Sequence, residues 1–296
     1  MINAAHVSSS VPAWEGFPVV EPLRARHAAE TLAFLAERPL HTVAMAGFIR
    51  ENGIQSPLNR GSFYGSRNAL GRLEGVALVG HATLFEARTD AALCALARQA
   101  RDCASKYMIM GEREGVERFW NYYAAGSEAP RLVCHTVLMA QNLPAQDFGN
   151  APDLRPAAPC DLEAVVTANV SIILKEHGRN PLEHDAKGFL RRCSLRIERG
   201  RTWVWTENER LLFKADVLAE TPAATYIEGI YVSPEEKGRG YGRRGMSELA
   251  RKLEGQTKAV CGLVAGKNTM ARAFYEMMGY RAAADHATYF LEPEAN

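Results

Sequence analysis

The chain has 296 residues, 47% hydrophobic and 23% charged, with a formal net charge of +1. That length suits one large or two ordinary domains with packed cores, and so even a charge excludes a strong nucleic-acid footprint or a pull toward anionic membranes. The longest apolar run, GVALVGHATLF from Gly75, is too short to cross a bilayer and is interrupted by a histidine and glycine.

No basic stretch followed by an apolar core opens the sequence, so no secretory leader is expected. Six cysteines lie scattered without a C-x-x-C pair. They suit a reducing cytoplasm, with no structural metal and no disulfide framework.

In chain order, Glu21 to Gly53 is alanine- and leucine-rich at helical spacing, and Pro39 should divide it into two helices. GSFYGSRNALGRLEGVALVGHATLFEA reads as two or three strands broken by glycine-containing turns. DAALCALARQARDC is an amphipathic helix with Asp90 as its N-cap. KYMIMGE follows as a short buried strand, GVERFWNYYA as a helix and RLVCHTVLMAQ as a strand. Gln141 to Pro159 holds four prolines and little periodicity, which makes it a linker by composition.

A similar order then recurs. CDLEAVVTANVSIILKEHG is a helix capped by Asp161, and HDAKGFLRRCSLRIERG is a second helix. TWVWTENERLLFKADVLAE is a hairpin turning near Glu207-Asn208-Glu209. TYIEGIYVSP is β-rich, SELARKLEGQ helical, KAVCGLVA a strand, TMARAFYEMM a helix and ATYFLE a last strand. The fold class is α/β (α+β), with one plan used twice.

The loop EKGRGYGRRG, Glu236 to Gly245, can be read two ways. Both rest on unpaired amides at a helix start that can bind a diphosphate, with glycines letting the main chain approach it. From Gly240 it spells G-x-G-x-x-G, a dinucleotide fingerprint, but that motif should follow directly on a strand. Here Ser233 to Arg239 intervenes after Val232, and KAVCGLVAGKN lacks the acid that would bind a ribose. A P-loop is excluded because no G-K-S/T follows.

The flanks decide for the other reading. IEGIYVSPEEKGRGYGRRGMSEL resembles motif A of the GNAT acetyltransferase superfamily, in which a strand ending V-x-P leads into R/Q-x-x-G-x-G/A and a long helix. Lys237 stands where that family usually has Arg or Gln. GKNTMARAFYEMMGYR resembles the family's N-x-x-A-x-x-x-Y-x-x-x-G-F/Y element through Asn268, Ala271, Tyr275, Gly279 and Tyr280. Asn268 is also a sensible N-cap and Gly279 a sensible C′ residue for one helix.

The resemblance implies that Ile230, Tyr231 and Val232 line the pantetheine arm of acetyl-CoA. It implies too that Lys237, Gly238, Arg239, Gly240, Tyr241, Gly242 and Arg243 hold its phosphates, with Asn268 and Ala271 beside it. Two GNAT-like domains in tandem follow, each a mixed, mostly antiparallel sheet flanked by helices. The division is 1–140 for a first half that is degenerate or an unrelated cap, 141–159 for the linker and 160–296 for the acetyltransferase half. The first half has no R/Q-x-x-G-x-G, so it should not hold coenzyme A. Such a pairing resembles a bacterial subgroup.

Acetyl transfer to an amine needs the amine neutral, the carbonyl polarised and the leaving thiolate protonated. A primary amine of pKa about 10.4 is only about 0.04% neutral at pH 7, a deficit of about 4.6 kcal/mol, and a general base recovers part of it. Glu228 is the candidate base. On an alternating strand Glu228, Ile230 and Val232 would face one side, and apolar neighbours there would raise its pKa. Tyr275 is the candidate acid by its motif position, against the plainer role of a core tyrosine. The Val232 amide would polarise the carbonyl. His177, with Glu176 and Arg179, would border the acceptor, although a surface loop histidine is the blander reading. Asp216 and His286 are weaker candidates.

The expected function is an N-acetyltransferase acting on a small-molecule or peptide amine by direct attack. It would be cytoplasmic, without nucleic-acid or membrane partners, and compatible with a homodimer. The alternative is an acyl-CoA-binding regulatory module without turnover.

Overall fold

The computed structural model describes residues 18–103, 107–124, 129–178 and 180–291. Two α/β halves repeat one order of elements. The first runs β1 (Val19–Pro22), α1 (Ala28–Leu35), α2 (Pro39–Asn52), β2 (Gly61–Arg67), β3 (Leu73–Gly80), β4 (Ala82–Ala87), α3 (Asp90–Arg101), β5 (Met108–Glu112), α4 (Arg113–Ala124) and β6 (Leu132–Asn142). The second runs β7 (Arg155–Pro156), α5 (Leu162–His177), α6 (Pro181–Glu198), β8 (Thr202–Glu207), β9 (Arg210–Glu220), β10 (Thr225–Val232), α7 (Tyr241–Leu253), β11 (Ala259–Ala265), α8 (Thr269–Met277) and β12 (Arg281–Phe290).

Local chemistry explains most boundaries. Pro39 opens α2, where its missing N–H is no loss. The β8–β9 hairpin turns on Asn208 and Glu209, both left-handed (φ 48° and 62°), as a two-residue turn matched to strand twist demands. Three caps differ from expectation. Thr89, not Asp90, caps α3, because its hydroxyl accepts from the Ala92 amide and leaves Asp90 as the first helical residue. Asp161 accepts from the Ala158 amide behind it and bonds no amide of α5 ahead. Helix α6 begins at Pro181 under an Asn180 cap, three residues before His184, but breaks at Asp185 (φ −151°, ψ 69°), whose Oδ1 accepts from the Gly188 amide and starts a second segment close to the expected start.

Among the described residues the strands join one twelve-stranded sheet in the order β1-β2-β3-β4-β5-β12-β6-β11-β10-β9-β8-β7. The halves therefore exchange their last strands. β12 from the C-terminal half pairs with β5, and β6 from the N-terminal half pairs with β11. The exchanged strands pair antiparallel with each other at the centre.

One face of the C-terminal strands is covered by α7 and α8, around Phe213, Ile227, Met246, Leu249, Val264 and Met278. The opposite face is reached from the other half. Val43 of α2 packs with Leu138, Ala219, Ala224 and Cys261 at the junction. A Cβ on Gly47 of α2 would stand 2.7 Å from Ala219 Cβ, so that helix lies directly on the C-terminal sheet. Each large apolar side chain so buried contributes about 1.5–3 kcal/mol, which ties the walls of the cleft described next to a common core. No helix among the described residues is long and apolar enough to cross a membrane.

Candidate functional site

The site begins where the sheet opens. β10 and β11 pair in parallel only at Thr225–Val260 and Tyr226–Cys261, then separate. β9 stays with β10 as far as Val232, so the outer edge of β10 from Glu228 onward has no strand partner. The strict alternation expected along this strand does not hold. Glu228 pairs with Asp216 and Tyr231 with Lys214, which leaves one extra residue on β10. Gly229 takes that bulge at φ 59°, a left-handed conformation that suits glycine. The slip lets Gly229, Ile230, Tyr231 and Val232 all border one cleft.

That cleft has a volume of about 2240 Å³ and spans both halves. At one end lies the glycine loop. Among the described residues, the amides of Lys237, Gly238, Gly240, Tyr241, Gly242 and Arg243 meet no protein acceptor, while those of Glu236 and Arg239 are used inside the loop. Gly240 is the N-cap of α7 at φ 85°, so its own carbonyl is turned into the helix and the first-turn amides face outward. A Cβ on Gly238 would meet nothing within 4 Å, and one on Gly240 only the Arg243 guanidinium at 3.7 Å. Arg239 pairs with buried Glu236 at 2.8 Å. Across the splay, Asn268 Oδ1 accepts from the Ala271 amide at 3.0 Å and caps α8, with both residues on the cleft wall.

Glu228 lies among charges, not among the apolar neighbours expected from sequence. Its Oε1 is 3.1 Å from Arg196 Nη1. The same guanidinium donates to Asp216 Oδ2 at 2.8 Å, and Thr202 Oγ1 donates to Asp216 Oδ1 at 2.7 Å. Lys214 completes the cluster, donating to Asp216, to Asn169 Oδ1 at 2.6 Å and to the Gly229 carbonyl at 3.1 Å. Lys214 is 0% and Asp216 1% exposed. Burial lowers the Lys214 pKa against the opposing pull of Asp216. Burial would raise Asp216, but the charges of Lys214 and Arg196 hold it below the usual carboxylate value. Because a lysine proton fastens the Gly229 carbonyl, the bulge and the Glu228 side chain share one buried scaffold.

Tyr275 is nearly buried on α8 and borders the same cleft. Burial, and then the charge of Glu176, raise its phenol above the ordinary value, so it stays protonated at neutral pH. Sequence reasoning gave Glu176 only a supporting part. It borders the cleft, and its carboxyl is raised by burial and by the neighbouring Glu228 charge. Tyr226, two residues before Glu228, also lines the cleft, with its pKa raised by burial and Glu228. Arg179 and the side chain of His177 lie outside the described residues. His286 lies on β12, 7% exposed, and its ring stacks on His41 with centroids 5.8 Å apart. Among the described residues no cluster of His, Cys, Asp or Glu has metal-binding form.

The corresponding place in the N-terminal half is differently built. Only Arg88 and Thr89 join β4 to α3. The Thr89 hydroxyl takes the Ala92 amide, the Arg88 amide donates to Glu74 O, and Asp90 places a carboxylate at the helix start, bound by Arg118 and Tyr122. A second anion there would meet the Asp90 carboxylate, with the Arg88 and Ala92 amides already engaged.

Residues 214–291 match the family model described as FR47-like protein. No curated protein matches the chain. The fold is similar to a Drosophila protein at 13% identity and TM-score 0.69, covering 94% of this chain and 100% of that one. It is similar to a tandem GNAT protein from the clavulanic acid biosynthesis pathway at 16% identity and TM-score 0.54, covering 94% and 100%. It is also similar to a GNAT-family acetyltransferase from Colwellia psychrerythraea at 12% identity and TM-score 0.53, covering 93% and 100%. With its repeated element order and its splayed β10 and β11, the chain has the tandem GNAT fold, with an FR47-like segment in its C-terminal half.

Proposed function

We propose that the C-terminal half is an N-acetyltransferase that moves an acetyl group from acetyl-CoA, a substrate and not a resident group, to a primary amine by direct attack. The observation that carries this reading is the set of unpartnered amides at Lys237, Gly238 and Gly240 to Arg243 beside the free edge of β10. Backbone N–H groups at a helix start suit a diphosphate, and the nearby Lys237 and Arg243 side chains add positive charge. The unpaired strand edge offers donors and acceptors for the amide groups of a pantetheine arm, and the Val232 amide for the thioester oxygen.

In this reading Glu228 takes the proton of the incoming ammonium, directly or through water, while Arg196 keeps its carboxylate aimed into the cleft. Glu176 is a second carboxylate within reach of the same space. The amine nitrogen bonds to the acyl carbon, the carbon–sulfur bond breaks, Tyr275 gives its proton to the departing sulfur, and the extra proton left on the acylated nitrogen passes through water to the tyrosinate. A phenol kept protonated by burial suits that donation. The N-terminal half would wall the acceptor side of the cleft and hold no acetyl-CoA of its own.

The test is release of free thiol from acetyl-CoA over a panel of primary amines. Tyr275→Phe and Glu228→Gln should lose turnover while keeping affinity for acetyl-CoA. Binding without thiol release from any amine would instead favour a regulatory acyl-CoA-binding module.

A further inference from the structure

Arg60 and Arg192 approach from opposite halves and both border the cleft. Arg60 ends the short turn before β2 in a left-handed conformation (φ 54°), and its carbonyl accepts from the His81 amide at 3.0 Å. That bond, with β2 packed closely on β3, fixes where the side chain starts. Arg192 projects from α6 on the face that also carries Phe189 and Arg196, at spacings that place all three on the cleft side, and Asp185, at the break in that helix, borders the same cleft.

The charges there do not balance. Among the described residues Arg60 has no carboxylate within ion-pair distance, and the one acid nearby, Asp185, is engaged twice. Its Oδ1 accepts from the Gly188 amide at 2.8 Å and its Oδ2 from Arg192 Nη1 at 3.0 Å. The other neighbour, His81, stacks on Tyr107 and is neutral at pH 7, because burial and then the two arginines lower its pKa to about 4. Two guanidiniums thus face one space with a single, already bonded carboxylate. Such an arrangement suits an anion, since guanidinium groups bind carboxylates and phosphates through paired N–H donors.

The position is informative. Arg196, four residues on, contacts Glu228, so Arg192 stands about 6 Å from it along the helix axis. We propose that Arg60 and Arg192 form an anion subsite for the acceptor, so that the substrate is an amine bearing a carboxylate or phosphate roughly one helical turn from its nitrogen. This rests on the acetyl-transfer reading above and names the acceptor class for it. The acidic end of the cleft, Glu228 and Glu176, would receive the ammonium, and the arginine end the anion.

The test uses the full chain and acetyl-CoA with linear ω-amino acids from glycine to 6-aminohexanoate, 3-aminopropyl phosphate, and butylamine as the neutral comparison. The expected result is a kcat/KM for an anionic amine at least tenfold above butylamine. That ratio should fall at least tenfold in Arg60→Gln and in Arg192→Gln, mainly through KM, with Arg60→Lys recovering part of it. The carboxylate and phosphate arms tell which anion is preferred. A wild-type preference for butylamine, or ratios unchanged in the variants, would overturn the subsite while leaving acetyl transfer intact. If no amine releases thiol, the acetyl-transfer reading fails. Calorimetric titration of 4-aminobutyrate and inorganic phosphate then decides the subsite alone. Affinity at least tenfold weaker in both variants supports it, and no binding, or equal binding in all three proteins, overturns it. Thermal melts of each variant exclude unfolding as the cause.

Discussion

Replacing Asp216 by Asn should destabilise the protein strongly, because it removes a charge and keeps the shape. In the native protein Asp216 Oδ2 receives both Lys214 Nζ and Arg196 Nη1, while Oδ1 receives Thr202. Asparagine keeps an oxygen for Thr202 but turns an NH₂ toward two cationic donors. Arg196 still has Glu228, but Lys214 keeps only the neutral oxygens of Asn169 and Gly229, so its buried charge loses the one carboxylate bonded to it. Breaking a buried pair from one side costs about 3–5 kcal/mol. At about 2–4 °C per kcal/mol for a large domain, the midpoint should drop by roughly 10 °C. Urea denaturation and thermal melts at pH 7, followed by circular dichroism, measure this. The double variant Lys214→Met/Asp216→Leu should be less destabilised than the sum of its single changes, since the buried charges leave together. A loss below about 1 kcal/mol for Asp216→Asn would refute the view that this cluster is a buried scaffold with each charge dependent on the others.

Further outcomes follow from other parts of the molecule. His286 has its pKa lowered from 6.5 to about 4, mainly by burial and then by His41. The folded state therefore binds this proton less readily than the unfolded state. The full stability is present above pH 6.5 and is lost as pH falls toward 4, by up to about 3 kcal/mol. In His286→Gln that part of the pH dependence should disappear from urea denaturation curves. Gly240→Val should weaken acetyl-CoA affinity about 10- to 100-fold, since one obstructed charge-assisted amide bond is worth about 1.5–3 kcal/mol. Equal affinity by calorimetry would remove that loop from the binding site. Gly229→Ala should lower both stability and thiol release, because its Cβ would stand 2.8 Å from Lys214 Nζ and 3.0 Å from Asp216 Oδ2. Unchanged values in melts and turnover would mean that the bulge does not set the site.

Much of this architecture could be read from local patterns. Pro39 opening a helix, the Asn208-Glu209 turn and the Asn268 cap are decided by residues within a few positions of one another, so composition and spacing reveal them. The glycine loop was legible for the same reason, because a helix start, its amides and its glycines are contiguous.

What escaped depends on pairing at a distance. Nothing local in RLVCHTVLMAQ or ATYFLE says that these strands change places between halves, since each reads as an ordinary buried strand in either position. LLFKADV shows a lysine and an aspartate two apart on a strand, a pattern common on solvated faces. Only α5 and α6, arriving with Asn169 and Arg196, turn that face inward. The Gly229 bulge was missed because a glycine in a strand signals a bulge, a bend or a close approach alike. That error carried the expected environment of Glu228 with it. Arg60 and Arg192 are more than a hundred residues apart, and their convergence belongs to the tertiary structure alone.

The most direct test is the stoichiometry of acetyl-CoA binding to the intact chain by titration calorimetry. One equivalent per chain, greatly weakened by Gly240→Val and insensitive to Thr89→Ala at the start of α3, is the result expected if only the second half cradles a diphosphate. Two equivalents, or none at millimolar ligand, would contradict it.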